Sequence, residues 1–156
     1  MFTIATPTTS KPAKDATALL RADRTLVSQL FGEYQSTRLT SKKKQLVSQI
    51  CKELTVHAQL KEEIFYPAVE AALKYKELIA EATVEHATLK EFIAQIEGIN
   101  PDGETYDAKV KLLSEYVKHH VKKEQNEMFP KPKASKLDML ELCAQMAARK
   151  QELMAA

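Results

Sequence analysis

The chain has 156 residues, 44% of them hydrophobic, with only 3 glycines and a net charge of +2 from 23 basic and 21 acidic side chains. This length supports one domain with a substantial core and the composition argues against disorder, while near-balanced, interspersed charges give no reason to expect nucleic acid or membrane as a partner. No window approaches the roughly 18 apolar residues of a transmembrane helix, and residues 1–14 lack the apolar run of a signal peptide, so a flexible N-terminal tail and a cytoplasmic location are expected.

From residue 15 the apolar positions step by three and four, the period of an α-helix packed on one side. Asp15 can cap a first helix to about Tyr34, with Leu20, Arg24, Val27, Phe31 and Tyr34 in one stripe. Thr40 and Ser41 offer a cap for a second, with Leu46, Ile50, Leu54, His57, Lys61, Ile64 and Ala68 in register. A third carries Tyr75, Ile79, Ala82, His86, Leu89, Ile93 and Ile96, and ends near Gly98 and an Asn100-Pro-Asp-Gly103 turn. The fourth carries Tyr106, Val110, Leu113, Val117, His120, Glu124 and Met128, and Pro130 and Pro132 mark its stop. Ser135 to Met154 reads as a shorter fifth helix with Leu137, Leu140, Ala144 and Ala147 inward, covering one end of the others. Four long helices with short connections predict an all-α, up-down-up-down bundle forming a single domain over residues 15–156. Cys51 and Cys143 lie in helical patterns without metal-type spacing, so two reduced, partly buried thiols are expected.

The stretch from His57 to Pro67 recurs in altered form from His120 to Pro130, with Lys61 in the slot that Glu124 holds in the second copy. A His and a carboxylate four apart on a helix share a face and can reach one point in a bundle core, which is metal-ligand spacing. A protonated lysine cannot ligate, so the first copy is not a working duplicate. The halves repeat as hairpins: Asp23-Arg24 echoes Glu85-His86, and His86 with His120 and Glu124 finds its counterpart in Arg24, His57 and Lys61. Buried polar groups without partners cost on the order of 1 to 3 kcal/mol each, so several converging at one depth need a common partner. His119 points about 100° away from His120 and is read as solvent-facing. Glu62 and Glu63 are read as surface residues, although a local π-bulge could turn Glu62 inward.

The strings DATALLRAD, ELTVHAQLKEEIFYPAV, VEHATLKEFIAQIE and EYVKHHVKKEQNEMFP carry a resemblance, over residues 15 to 130, to the bacterial hemerythrin-like (HHE cation-binding) proteins. The resemblance implies a bundle holding a non-haem di-iron site, in proteins that bind dioxygen, handle peroxide or nitric oxide, or sense iron or oxygen. By position, the family's ligands fall on His57, His86, His120 and Glu124, whereas its first-helix His falls on Arg24 and its first bridging Glu on Lys61; a further His of some members falls on Lys90. One iron therefore loses a terminal ligand and both lose a bridge.

Four functions compete. A single metal, iron by the resemblance, could sit on His86, His120 and Glu124 with His57 as a fourth ligand, for chemistry with dioxygen or peroxide. Alternatively the core is metal-free, with Lys61 and Arg24 paired to Glu124 or together holding a small anion. Lys61 could instead act as a catalytic amine through Schiff bases, its pKa lowered by burial and by Arg24. A purely structural or interaction bundle is the fourth.

Overall fold

A computed structural model describes residues 15–73, 76–99, 103–127 and 138–156. The predicted N-terminal tail, Tyr75, most of the Asn100 to Gly103 turn, and Met128, Pro130, Pro132, Ser135 and Leu137 lie outside them. The elements are α1 (Ala16–Ser36), α2 (Thr40–Leu60), a π-helical turn (Lys61–Phe65), α3 (Tyr66–Leu73), α4 (Lys76–Glu97), α5 (Glu104–Glu127) and α6 (Met139–Ala155). With α2, the π turn and α3 running as one rod, the four long rods form the expected up-down-up-down bundle, and α6 packs on α1, α2 and the π turn. No described helix is long and apolar enough to cross a membrane.

Local chemistry sets the ends. The Asp15 carboxylate accepts from the backbone N–H of Ala18 at 2.8 Å, capping α1 as the sequence predicts. Neither Thr40 nor Ser41 caps α2: Leu39 is the N-cap residue and makes no side-chain cap bond. Gly103 takes φ of +100°, a conformation costly for any residue with a Cβ, and leads directly into α5.

The core has two apolar clusters. One gathers Phe31, Tyr34, Ile50, Ile93, Tyr106 and Leu113; the other gathers Leu20, Leu60, Phe65, Val69, Ala82 and Met146. Each large buried side chain contributes about 1.5 to 3 kcal/mol. Between the clusters along every rod comes a polar step: Arg24 after Leu20, His57 and Lys61 after Leu54, His86 after Ala82, and His120 and Glu124 after Leu113. The bundle therefore encloses a charged layer between two greasy ends.

Two registers differ from expectation. Beyond Lys61 the buried positions are Phe65, Tyr66 and Val69, with Ile64 and Ala68 half-buried, because the π turn inserts a residue and advances the inward face by one. On α6 the inward residues are Leu142, Cys143 and Met146, whereas Leu140, Ala144 and Ala147 are exposed. Two stripes were available on that helix, and the one with the larger apolar side chains is buried. Asp138, whose carboxylate accepts from Glu141 N–H at 3.0 Å, caps it.

Candidate functional site

All six residues at the predicted ligand positions converge on the charged layer. Lys61 is 1% exposed, and its ammonium donates to Glu124 Oε2 at 2.9 Å and to His120 Nε2 at 3.2 Å. The i,i+4 pair on α5 is itself close, with His120 Nε2 and Glu124 Oε2 at 3.0 Å. Arg24 Nη2 lies 3.4 Å from the other oxygen, Glu124 Oε1, and the Tyr66 hydroxyl is 3.4 Å from Oε2. The one carboxylate of the inner layer thus faces two side-chain cations, and the long stems of Lys61 and Arg24 do not carry their charges out to solvent.

Outside this layer stands a ring of carboxylates. His57 Nδ1 donates to Asp23 Oδ2 at 3.1 Å, His86 Nδ1 to Glu62 Oε1 at 3.1 Å, and His120 Nδ1 to Glu85 Oε2. A carboxylate can only accept, so each of these Nδ1 atoms carries the proton; the Nε2 atoms of neutral His57 and His86 then present lone pairs, whereas His120 Nε2 lies between the Lys61 ammonium and the Glu124 carboxylate. Each carboxylate also has a lysine: Lys150 on Asp23, Lys90 on Glu62 and Lys123 on Glu85. Fixing a histidine tautomer through an outer carboxylate is the arrangement that surrounds protein metal sites. Here it persists although two ligand positions are cationic.

The hairpin repeat explains two of these contacts. Asp23, beside Arg24, holds the histidine of its own hairpin, and Glu85, beside His86, does the same for His120. The third depends on the π turn, which brings Glu62 to His86 while Glu63 turns outward to Arg149 at 2.8 Å. Asp23, Glu62, Glu85 and Tyr66 were not among the predicted site residues; the acid preceding Arg24 and His86 was the available signal for two of them. His119 is exposed and Cys51 and Cys143 are buried.

The electrostatics follow from burial and these pairings. Burial, reinforced by Lys61 and partly opposed by Asp23, pushes His57 down to about 4, so it is neutral at pH 7. Burial and Lys61 also drive His86 far below the usual histidine range. Its ring stacks on Tyr66 at 5.7 Å between centroids, and its Nε2 is buried with no hydrogen-bond partner among the described residues. Burial alone would raise the Glu124 carboxyl, but Lys61, His120 and Arg24 overcome that and hold it well below the ordinary range. Burial lowers Lys61 and Glu124 opposes the shift; at 2.9 Å the two form an ion pair.

Beside the ion pair lies a cavity of about 30 Å³ lined by Asp23, Arg24, His57, Lys61, Glu85, His86 and His120 together with apolar residues such as Leu89. One water needs roughly 10 to 15 Å³ measured this way, so the space suits an occupant of one or two heavy atoms. A metal fits poorly. Among the described residues no group of three or more His, Cys, Asp or Glu is arranged to hold one. An ion placed about 2.1 Å from both His120 Nε2 and Glu124 Oε2, the usual ligand distance, would lie at most ~4 Å from the Lys61 ammonium. At that separation a dication and an ammonium repel by ~8 kcal/mol at an effective dielectric near 20.

Comparison with known proteins agrees with the fold. Residues 15–131 match the family pattern of the hemerythrin HHE cation binding domain. The chain is 31% identical over 111 residues to a DNA nickase from Nostoc sp. (strain PCC 7120 / SAG 25.82 / UTEX 2576), covering 71% of this chain but only 31% of that protein. It aligns with the crystal structure of a hemerythrin HHE cation binding domain-containing protein from Mycobacterium kansasii with a TM-score of 0.77 at 22% identity, over 90% of this chain and 88% of that one.

Proposed function

Given that this chain belongs to the hemerythrin HHE cation binding family, we propose that it keeps the family's cation-centred core but supplies the cation from its own side chains and binds a small anion there without a metal. One observation carries this reading: the Lys61 ammonium bonds both Glu124 Oε2, at 2.9 Å, and His120 Nε2, at 3.2 Å, the two atoms that would otherwise ligate. Arg24 adds a second positive charge at 3.4 Å from the same carboxylate. Lys61 and Arg24 stand against Glu124 alone, while the Asp23 and Glu85 carboxylates on the cavity wall are already balanced by Lys150 and Lys123, so the net surplus is positive and favours an anion in the cavity. The ligand is of the size of a halide or a diatomic anion. Schiff-base chemistry at Lys61 fits less well, because Glu124 at 2.9 Å favours the protonated amine and the cavity admits few substrate atoms.

A second reading rests on a different observation. The three histidines keep their Nδ1 atoms on carboxylates, the outer arrangement that orients histidines towards a metal, although the Lys61 ammonium holds His120 Nε2. A single iron on His86, His120 and Glu124, serving dioxygen or peroxide chemistry, would use it once Lys61 loses its proton or moves aside.

Elemental analysis of protein from iron-rich cultures separates the readings, combined with anomalous diffraction from bromide-soaked crystals. The metal-free reading expects iron well below one equivalent per chain and a bromide peak beside Lys61 and Arg24. Near-stoichiometric iron that disappears in His120→Ala would overturn it in favour of the single-metal site.

A further inference from the structure

Because α6 packs on α1, α2 and the π turn, the side of the bundle formed by α4 and α5 carries no covering helix among the described residues. Among those residues, the large apolar side chains that stand more than half exposed are Leu39, Val84, Leu112 and Leu140. Leu39 and Leu140 sit at helix starts, whereas Val84 (67%) and Leu112 (52%) sit in mid-helix, one on α4 and one on α5. The half-buried rings of Phe92 and Tyr116, 5.7 Å apart, fill the seam between them. An apolar strip thus runs diagonally across an open two-helix face.

Contacts across the seam fix the levels of these residues. Glu85 meets His120 and Tyr116, and Phe92 meets Tyr116, so α4 and α5 run antiparallel with Glu85 level with His120. In that register Val84 is level with Val121 and Leu112 with Ile93, which puts the two exposed side chains roughly 13 Å apart along the seam at 1.5 Å per residue. Thr88 and Val117 mark the level midway. A two-fold axis through the seam at that level, perpendicular to the face, exchanges the two helices and reverses their direction. It therefore carries Val84 onto the partner's Leu112, and Leu112 onto the partner's Val84.

The charges obey the same operation. Helical spacing puts Glu77, Glu81 and Glu91 on the outward face of α4, and Lys109, His119 and Lys122 on or beside that of α5. The axis sets Glu91 opposite the partner's Lys122 and Glu77 opposite the partner's Lys109. Glu115, the acid in the middle of α5, falls between the partner's Val84 and Thr88 and meets no carboxylate. Glu91 and Lys122 are both exposed, and neither forms a salt bridge with a described residue. We infer that the chain pairs with a second copy of itself through the α4–α5 face, as a two-fold dimer centred on the level of Thr88 and Val117. From Glu77 to Gln95 this face is about 27 Å long and, as two helices side by side, about 20 Å wide. Contact then buries roughly 1,000 Å² in total, the lower end of specific interfaces, so the dimer is a reversible one. The pairing is independent of what the inner layer holds.

Sedimentation velocity of the full chain at low salt, from about 1 μM to about 1 mM, tests it. Expected is a sedimentation coefficient that rises with concentration to the value of a dimer and no further, since a two-fold contact closes on itself. Val84→Glu should weaken dimerisation ~10-fold or more, because each dimer contains that contact twice. Glu91→Lys and Lys122→Glu should each weaken it ~10-fold, and the two reversals in one chain, or an equimolar mixture of the two single variants, should restore it. All three positions are exposed, so every variant should keep the wild-type unfolding midpoint. The inference is overturned if the wild type stays monomeric throughout, if Val84→Glu leaves its association unchanged, or if the reversed pair fails to recover what the single reversals lose.

Discussion

Arg24→His together with Lys61→Glu should convert this chain into a two-iron protein. Both changes write the second hairpin's pattern into the first, so that the new side chains join His57 opposite His86, His120 and Glu124. The electrostatic term is large: with Lys61 protonated, a dication held by His120 and Glu124 lies within about 4 Å of the ammonium and is disfavoured by ~8 kcal/mol, nearly six decades in affinity. Replacing the ammonium by a carboxylate removes that repulsion and substitutes an attraction. The formal charge of the inner layer falls by three when both changes are made. Glu is also shorter than Lys, so its carboxylate stops short of Glu124 and leaves room for ions between them. The outer ring needs no change, since Asp23, Glu62 and Glu85 already orient the histidines. The assay is anaerobic reconstitution with ferrous iron, exposure to oxygen, removal of excess metal, then elemental analysis and absorption spectroscopy for an oxo-bridged ferric pair. Two irons per chain are expected for the double variant, partial recovery for Lys61→Glu, and little for Arg24→His while the ammonium remains. A folded double variant that still binds one iron or none refutes the idea of a remodelled two-metal layer.

Glu124→Gln should cost about 3 to 5 kcal/mol in denaturant unfolding, because it strands the Lys61 ammonium in the core, whereas Lys61→Met with Glu124→Gln should cost much less than the two single changes together. The pH dependence has a definite sign: in Glu124→Gln the folded-state pKa of Lys61 lies further below its ordinary value, so the unfolded chain binds more protons and stability rises with pH towards the usual lysine range. Asp23→Asn removes a carboxyl held below its ordinary range, burial opposing and His57 and Lys150 prevailing. Wild-type stability should therefore fall as pH drops through the carboxylate range, and the variant should be weaker near neutrality, by about 1 to 3 kcal/mol, with a flatter acid limb. Burial pushes the Cys51 thiol up to about 12, so alkylation at pH 8 should be slow in the native protein and fast in urea; equal rates would contradict the burial.

The helices were legible because three-and-four spacing follows directly from which face is buried, and Leu20, Val27, Ile50, Leu89 and Leu113 all lie inside as that spacing requires. The same spacing placed Arg24, His57, Lys61, His86, His120 and Glu124 at one depth. Periodicity assumes an unbroken helix, and the π turn breaks it: after Lys61 the fully buried positions are Phe65, Tyr66 and Val69, while Ile64 and Ala68 pack on the core only from its edge. That shift also brings Glu62 to His86, a contact between residues 24 positions apart on different rods that no helical period encodes. The α6 register failed for another reason. Two apolar stripes competed, and Leu142, Cys143 and Met146 present more surface to bury than Ala144 and Ala147.

On the proposed reading, charge arithmetic accounts for a core that holds together without a metal. Lys61 and Arg24 carry between them the formal charge of one divalent ion, and they stand around the single inner carboxylate, Glu124. The surrounding histidines are neutral or share their protons with carboxylates that surface lysines already balance, so the outer ring asks nothing further of the centre. A metal-held bundle couples its stability to ligand deprotonation and metal supply, because binding energy is then folding energy. A bundle whose cations are covalently attached severs that coupling, and chelators should leave its unfolding midpoint unchanged. What remains adjustable is the occupant of the cavity beside Lys61. Since it meets a fixed positive charge rather than an exchangeable, redox-active ion, its binding should track ionic competition and the protonation of Lys61, not oxidation state.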